Sequence, residues 1–195
     1  MRSRLAASSI LTALLLAAPA HAGHHLWDFT EIFSNADGSV QFVEIFTAED
    51  NEHLINGFTI TSGGNTLTFT SNLPTTVTAN TWLLAATSNF AALPGAVTPD
   101  YVIPANFFPT GGGTLNYASG ADVWNFGAVP TDGVNGLQRN GSPAANSPTN
   151  FAGQSGSVNL GTPVPVLSTW AIFLAVGILL TLASGLLRRR APATA

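Results

Sequence analysis

Apolar runs between Gly23 and Asn140 are short, and clusters of glycine, proline or asparagine close nearly every one of them. A helix needs roughly ten or more residues to bury one face, whereas a strand needs only about five or six. The runs are strand-sized: LWDFTEIF (26–33), VQFVEIF (40–46), GFTIT (57–61), TLTFT (66–70), TWLLAAT (81–87), TLNYA (114–118), DVWNF (122–126) and GLQR (136–139). Aromatic and branched residues dominate the first two, which flank the turn cluster Asn35-Ala36-Asp37-Gly38. Ser62-Gly63-Gly64-Asn65 and Gly111-Gly112-Gly113 read as further turns; the latter lacks the lysine and helix start of a phosphate loop. The segment therefore reads as one all-β domain, a sandwich or barrel over 23–140, with at most one helical turn near Asn89 to Leu93.

The ends of the 195-residue chain follow another rule. Arg2 and Arg4 precede an apolar run from Ile10 to Ala18 and then Ala20-His21-Ala22, the small-x-small pattern of a secretory cleavage site. Residues 1–22 are expected to be a signal peptide cut by signal peptidase, because the run is short of the ~20 residues that cross a bilayer. Residues 167–187, LSTWAIFLAVGILLTLASGLL, carry no charge and are followed at once by Arg188, Arg189 and Arg190. That is a transmembrane helix with lipid around it, its arginines on the cytoplasmic side and residues 191–195 as a short cytoplasmic tail. The body of the protein is thus expected outside the cell, in the envelope or on the outer surface. A GPI signal is the eukaryotic alternative.

Charge narrows the function. All six cations are arginine, and Arg139 is the one between the two ends; against it stand ten acids, a formal charge of −9 from Gly23 to Val164. Such a surface cannot replace the counterions of a phosphate backbone, which excludes nucleic acid as a general partner. With no cysteine, disulfide frameworks, thiol nucleophiles and thiolate metal sites are excluded as well. Residues 141–164, GSPAANSPTNFAGQSGSVNLGTPV, are uncharged and rich in Gly, Ser, Asn, Pro and Thr, the composition of a flexible linker. Phe151 is the residue there most suited to dock on the domain.

Two resemblances attach to these residues. Val164-Pro165-Val166-Leu167-Ser168-Thr169-Trp170, a spanning segment and a terminal arginine run resemble the IPTL-CTERM sorting tails of Gram-negative bacteria, relatives of the PEP-CTERM tails. The family signature is Ile-Pro-Thr-Leu-Ser-x-Trp; Pro165, Leu167, Ser168 and Trp170 match it, and valine stands at 164 and 166. The resemblance implies a sorting region at 165–190, recognised and removed by an exosortase-like membrane transpeptidase. The body resembles the lamin-tail domain, an immunoglobulin-like sandwich, over roughly 26–140. The matching pieces are Glu31-Ile32, Gln41-Phe42-Val43-Glu44-Ile45, Ile55-Asn56-Gly57-Phe58-Thr59-Ile60, Leu67-Thr68-Phe69, Trp82-Leu83-Leu84-Ala85 and Asp132-Gly133-Val134-Asn135-Gly136-Leu137-Gln138-Arg139. Asn does not follow Ile32 and Phe33 directly, and 94–109 is longer and richer in proline than the family pattern. The family has no single activity, so this likeness implies a fold alone.

Three constellations carry candidate chemistry. Phe29-Thr30-Glu31-Ile32-Phe33 and Phe42-Val43-Glu44-Ile45-Phe46 repeat one pattern; strict alternation puts Phe29, Glu31 and Phe33 on one face, and Phe42, Glu44 and Phe46 on one face of the next strand. Glu31 and Glu44 would then form a carboxylate pair among aromatics, the arrangement of an acid/base couple in a hydrolase, or would accept hydrogen bonds from the backbone and Arg139. Glu49, Asp50 and Glu52 offer oxygen ligands to calcium, without the spacing of an EF-hand, or form a solvated loop. Cleavage after Ala22 would expose Gly23-His24-His25, four nitrogens suited to copper or nickel, or else a passive tail. Trp27, Trp82 and Trp124 fit a sandwich core better than a sugar-stacking surface, and no Gly-x-Ser-x-Gly elbow occurs.

The expectation is therefore an exported, surface-sorted, non-enzymatic module without a cofactor or resident metal, used in adhesion, matrix assembly or scaffolding. The alternative is a secreted hydrolase using Glu31 and Glu44.

Overall fold

A computed structural model describes residues 23–161. The cleavage site at Ala20 and Ala22, the sorting motif from Val164 to Trp170, the span 167–187 and Arg188 to Arg190 lie outside the described residues. Among the described residues no helix is long and apolar enough to cross a membrane.

Among the described residues ten strands and one short helix follow in order: β1 Asp28–Ser34, β2 Gln41–Thr47, β3 Thr59–Ser62, β4 Asn65–Thr68, β5 Thr81–Thr87, α1 Ser88–Ala91, β6 Tyr101–Ile103, β7 Gly113–Tyr117, β8 Asp122–Phe126, β9 Asn135–Gln138 and β10 Pro143–Ala145. They form a six-stranded sheet in the order β10-β9-β1-β2-β5-β6 and a four-stranded sheet in the order β4-β3-β7-β8. All pairings are antiparallel except β5 with β6. The all-β expectation holds, and the helical turn forms where it was placed, capped by the Thr87 hydroxyl, which accepts from the Phe90 amide.

Two interiors result. The main core lies between the sheets and gathers Phe29, Ile32, Val43, Ile45, Leu83 and Leu137 from the larger sheet against Ile60, Leu67, Leu115, Tyr117, Trp124 and Phe126 from the smaller. A second core lies on the opposite face of the larger sheet, where Phe33, Phe42, Leu84 and Ala86 meet Phe90, Val97 and Val158. Trp27 and Trp124 are buried, as expected, while Trp82 is half-buried and packs on Phe46 at 4.9 Å between ring centroids.

The presence of two interiors explains a departure in β1. Its pairing with β2 shifts between Phe29 and Glu31, so Thr30 is an extra residue and the strict alternation breaks there. Phe29 turns into the main core beside Trp124, whereas Glu31 and Phe33 face the second. The expected grouping of Phe29 with Glu31 and Phe33 on one face is corrected accordingly. Phe42, Glu44 and Phe46 do share a face, since β2 keeps register with β5 throughout.

The linker is also corrected over its described part. Residues 143–145 form β10 on β9, and 146–160 fold back on themselves as a looped strap across the outer face of the larger sheet. Asn146 closes the base of the loop: its Nδ2 donates to the carbonyls of Val134 at 2.6 Å and Val158 at 2.7 Å, and its Oδ1 accepts from the Val158 amide at 2.8 Å. Asn146, Pro148, Asn150 and Val158 are buried, and Phe151 packs against the main core. Polar composition does not prevent ordering when main-chain groups find fixed partners; compact loops of this kind are held largely by their own bonds.

Candidate functional site

Glu31 and Glu44 are brought together: they are direct partners across the β1–β2 ladder and are 1% and 4% exposed. Neither carboxylate faces an open cleft. Glu31 accepts from the Ser147 amide at 3.2 Å through Oε2 and from the Ser147 hydroxyl at 3.1 Å. Glu44 accepts from the Thr149 amide at 2.7 Å through Oε2 and from the Thr30 hydroxyl at 2.6 Å through Oε1. A third carboxylate continues the row. Asp100, in the connection leading into β6, accepts from the Phe151 amide at 2.9 Å and the Leu84 amide at 2.8 Å. Alternate amides of one extended segment, at 147, 149 and 151, are thus bound by three acids that stand on successive parts of the sheet. Between them Pro148 carries no N–H, and the Asn150 amide points away to the Gln154 carbonyl at 3.1 Å, as the two-residue period of extended chain requires.

Glycine makes this geometry possible at one position. A Cβ on Gly136 of β9 would collide with the Glu31 carboxylate and would stand 3.1 Å from the Ile32 carbonyl oxygen. Any larger residue would displace Glu31 from beneath the strap.

Burial raises the affinity of these acids for protons. Desolvation pushes Glu31 above its ordinary range, against hydrogen bonds from Gln138 and Ser147 that favour the charged form. Glu44 is pushed up to about 7 by desolvation, with a smaller contribution from the charge of Glu31. Asp100 is raised by desolvation too, opposed by the Leu84 and Phe151 amides. Among the described residues no cation offsets this cluster. Arg139, expected as a partner of the glutamates, instead binds Asp122 at 2.7 Å and lies over the Trp124 ring at 5.5 Å. Asp122 also accepts from the Phe29 amide at 2.8 Å, beside the bulge.

The remaining candidates separate. Asp50 accepts from the Thr78 and Ala79 amides, both at 3.0 Å, and so holds a turn. Glu52 is fully buried and accepts from the Leu26 amide at 3.0 Å, while Glu49 stays exposed. The three acids therefore diverge, and among the described residues no three His, Cys, Asp or Glu side chains come together to hold a metal ion. Gly23-His24-His25 is fastened to the domain: the Gly23 carbonyl accepts from the Leu54 amide at 2.7 Å, the His24 carbonyl from the Tyr117 hydroxyl at 2.6 Å, and the His24 ring stacks on Phe58 at 3.6 Å. His25 is exposed.

Away from the acids, the outer face of the four-stranded sheet is uniform. Thr59 and Thr61 of β3, Thr66 and Thr68 of β4, Thr114 and Asn116 of β7, and Val123 and Asn125 of β8 alternate with the core residues and point outward, with no charge among them. Thr114 donates to Asn125 at 2.7 Å across β7 and β8.

Sequence reasoning located the glutamate pair and missed Asp100, Ser147 and Thr149. The signal for Asp100 was available, since it is the one Asp, Glu, Lys or Arg between residues 53 and 121. No family model matches this chain, and no curated protein or solved structure matches it either.

Proposed function

We propose that the chain is an exported, surface-sorted β-sandwich whose work is contact: adhesion, matrix assembly or scaffolding of an extracellular polymer, without catalysis. The reading takes 1–22 as a signal peptide and 165–190 as a sorting tail with a span at 167–187, handled by signal peptidase and an exosortase-like transpeptidase in a Gram-negative envelope. It takes the sandwich as lamin-tail-like, hence immunoglobulin-like.

The observation that carries it is the neutral threonine and asparagine face of the four-stranded sheet. Opposed strands stand about 4.5–5.5 Å apart and alternate residues along a strand about 6.6 Å apart, so the face offers a regular grid of hydroxyls and amides. Donors and acceptors without charge suit a neutral, hydroxyl-rich polymer and gain nothing from an ionic one. The carboxylates add support from the other side, because a hydrolase needs its acid and base within reach of substrate, and here both lie under the strap.

The test is co-sedimentation of the mature protein with insoluble neutral polysaccharides and with anionic ones, alongside a variant carrying Thr61→Glu and Thr66→Glu. Binding to a neutral polymer that the variant loses supports the reading. Turnover of any polysaccharide that disappears in Glu31→Gln with Glu44→Gln overturns it in favour of the hydrolase. Mass spectrometry of the mature form reads both cut sites; an intact chain from Met1 to Ala195 removes the sorting part.

A further inference from the structure

We propose that the strap over 146–160 is a proton-controlled clasp, closed when Glu44 carries a proton and loosened when Glu44 is ionised. The geometry comes first. Glu44 is 4% exposed because the strap covers it, and the strap's Thr149 amide binds Glu44 directly. Lifting the strap would return this carboxylate to water, so the closed and open states hold its proton with different affinity. That difference is what couples a proton to a conformation.

The neighbours reinforce one direction. From β1, Glu31 stands opposite Glu44; from the connection into β6, Asp100 faces the same strap. The strap itself, β5, β9, α1 and the following residues to Val97 supply no titratable side chain. Arg139, just after β9, is engaged with Asp122. Closing the strap on ionised acids therefore buries like charges with no cation beside them among the described residues, whereas a protonated Glu44 is buried without that cost. Bonds from Thr149 and Thr30 hold the charged form in part, but desolvation outweighs them and carries Glu44 to about 7.

Linkage gives the size. With an affinity near 7 closed and the ordinary 4.5 open, the closing equilibrium is about 30-fold more favourable at pH 5.5 than at pH 8.5. Opening bares the second core, where Val158 of the strap meets Phe33, Phe42 and Phe90. It also frees the stretch through which the chain leaves the sandwich.

Amide hydrogen exchange on the full chain tests this, with rates at Thr149 and Phe151 corrected for the intrinsic pH dependence of exchange and compared with Val43 in β2. The expected result is protection at Thr149 that falls about 30-fold between pH 5.5 and 8.5 while Val43 stays protected. Glu44→Gln keeps an acceptor for the Thr149 amide and cannot titrate, so most of the fall should vanish. Flat protection in the native chain overturns the proposal; so does an unchanged fall in Glu44→Gln, or a loss at Val43 matching that at Thr149, which would mean global unfolding. Near-ultraviolet circular dichroism of Glu44→Gln at pH 5.5 verifies that the variant is folded; if it is not, cleavage of the native chain by chymotrypsin at Phe151 must rise with pH, and its failure to do so overturns the clasp.

Discussion

Glu31 lies directly opposite Glu44 across two paired strands, and the amides that bind them, Ser147 and Thr149, are two residues apart on one crossing segment. A pattern that sequence reads as an acid/base couple thus serves as a seat for main-chain donors. Carboxylate bonds to backbone N–H are charge-assisted and stronger than neutral ones, but two buried glutamates and a half-buried aspartate, with no cation beside them among the described residues, make the seat sensitive to protons.

Stability should fall as pH rises through neutrality. Glu31, Glu44 and Asp100 all hold protons more tightly in the folded chain than in the unfolded one. For a raised carboxylate, the contribution is complete below the unfolded value and lost as pH climbs through the folded one. Glu44, moved from 4.5 to about 7, accounts for about 3 kcal/mol between pH 4.5 and 8 at 1.36 kcal/mol per unit, as an order of magnitude. Urea midpoints measured across that range should decline, and Glu44→Gln should flatten the slope.

Gly136→Ala should cost about 1–3 kcal/mol, since the new methyl meets both the Glu31 carboxylate and the Ile32 carbonyl, groups that packing holds in place. Gly127→Ala provides the comparison. Its Cβ would meet nothing within 4 Å, and its effect should stay within about 0.5 kcal/mol. Urea denaturation of the two variants measures the difference.

Asp122→Ala should destabilise more than Arg139→Ala, although the two residues share one ion pair. Asp122 is 7% exposed and also receives the Phe29 amide, so its loss strands a buried donor, at about 2–3 kcal/mol. The Arg139 side chain is 40% exposed, and water replaces it, at about 1 kcal/mol or less. Equal losses in thermal denaturation would mean the bond to Phe29 contributes little.

Ending the chain at residue 140 should damage the domain, whereas ending it at 161 should not. The shorter form lacks β10, leaves three acids without their strap amides and removes Val158 from the second core. It should melt at least ~10 °C lower, read by circular dichroism, because a lost apolar contact and several unmade hydrogen bonds amount to a few kcal/mol in a domain of this size.

Much of this was legible. Strand-sized runs, the turn at 35–38 and the opposition of Glu31 to Glu44 follow from residue type and period alone. The bulge at Thr30 was not, because β-branched threonine suits a regular strand equally well; only the demand for Phe29 in one core and Phe33 in the other reveals it. β6, with Val102 exposed between half-buried Tyr101 and buried Ile103, is too short to stand out. The strap escaped for a deeper reason. Its order comes from backbone amides and from Asn146 and Asn150, and such bonds leave no apolar period to read.

Gly23 bears on when a leader could be cut from this chain. Its residue is buried, its φ of 56° lies in the left-handed region and its carbonyl is already tied to Leu54. A peptidase working just before it would need that stretch extended in its own groove. If the leader is removed after Ala22, the cut must come while the emerging polypeptide is still unstructured there, so that maturation runs ahead of folding rather than trimming a finished product.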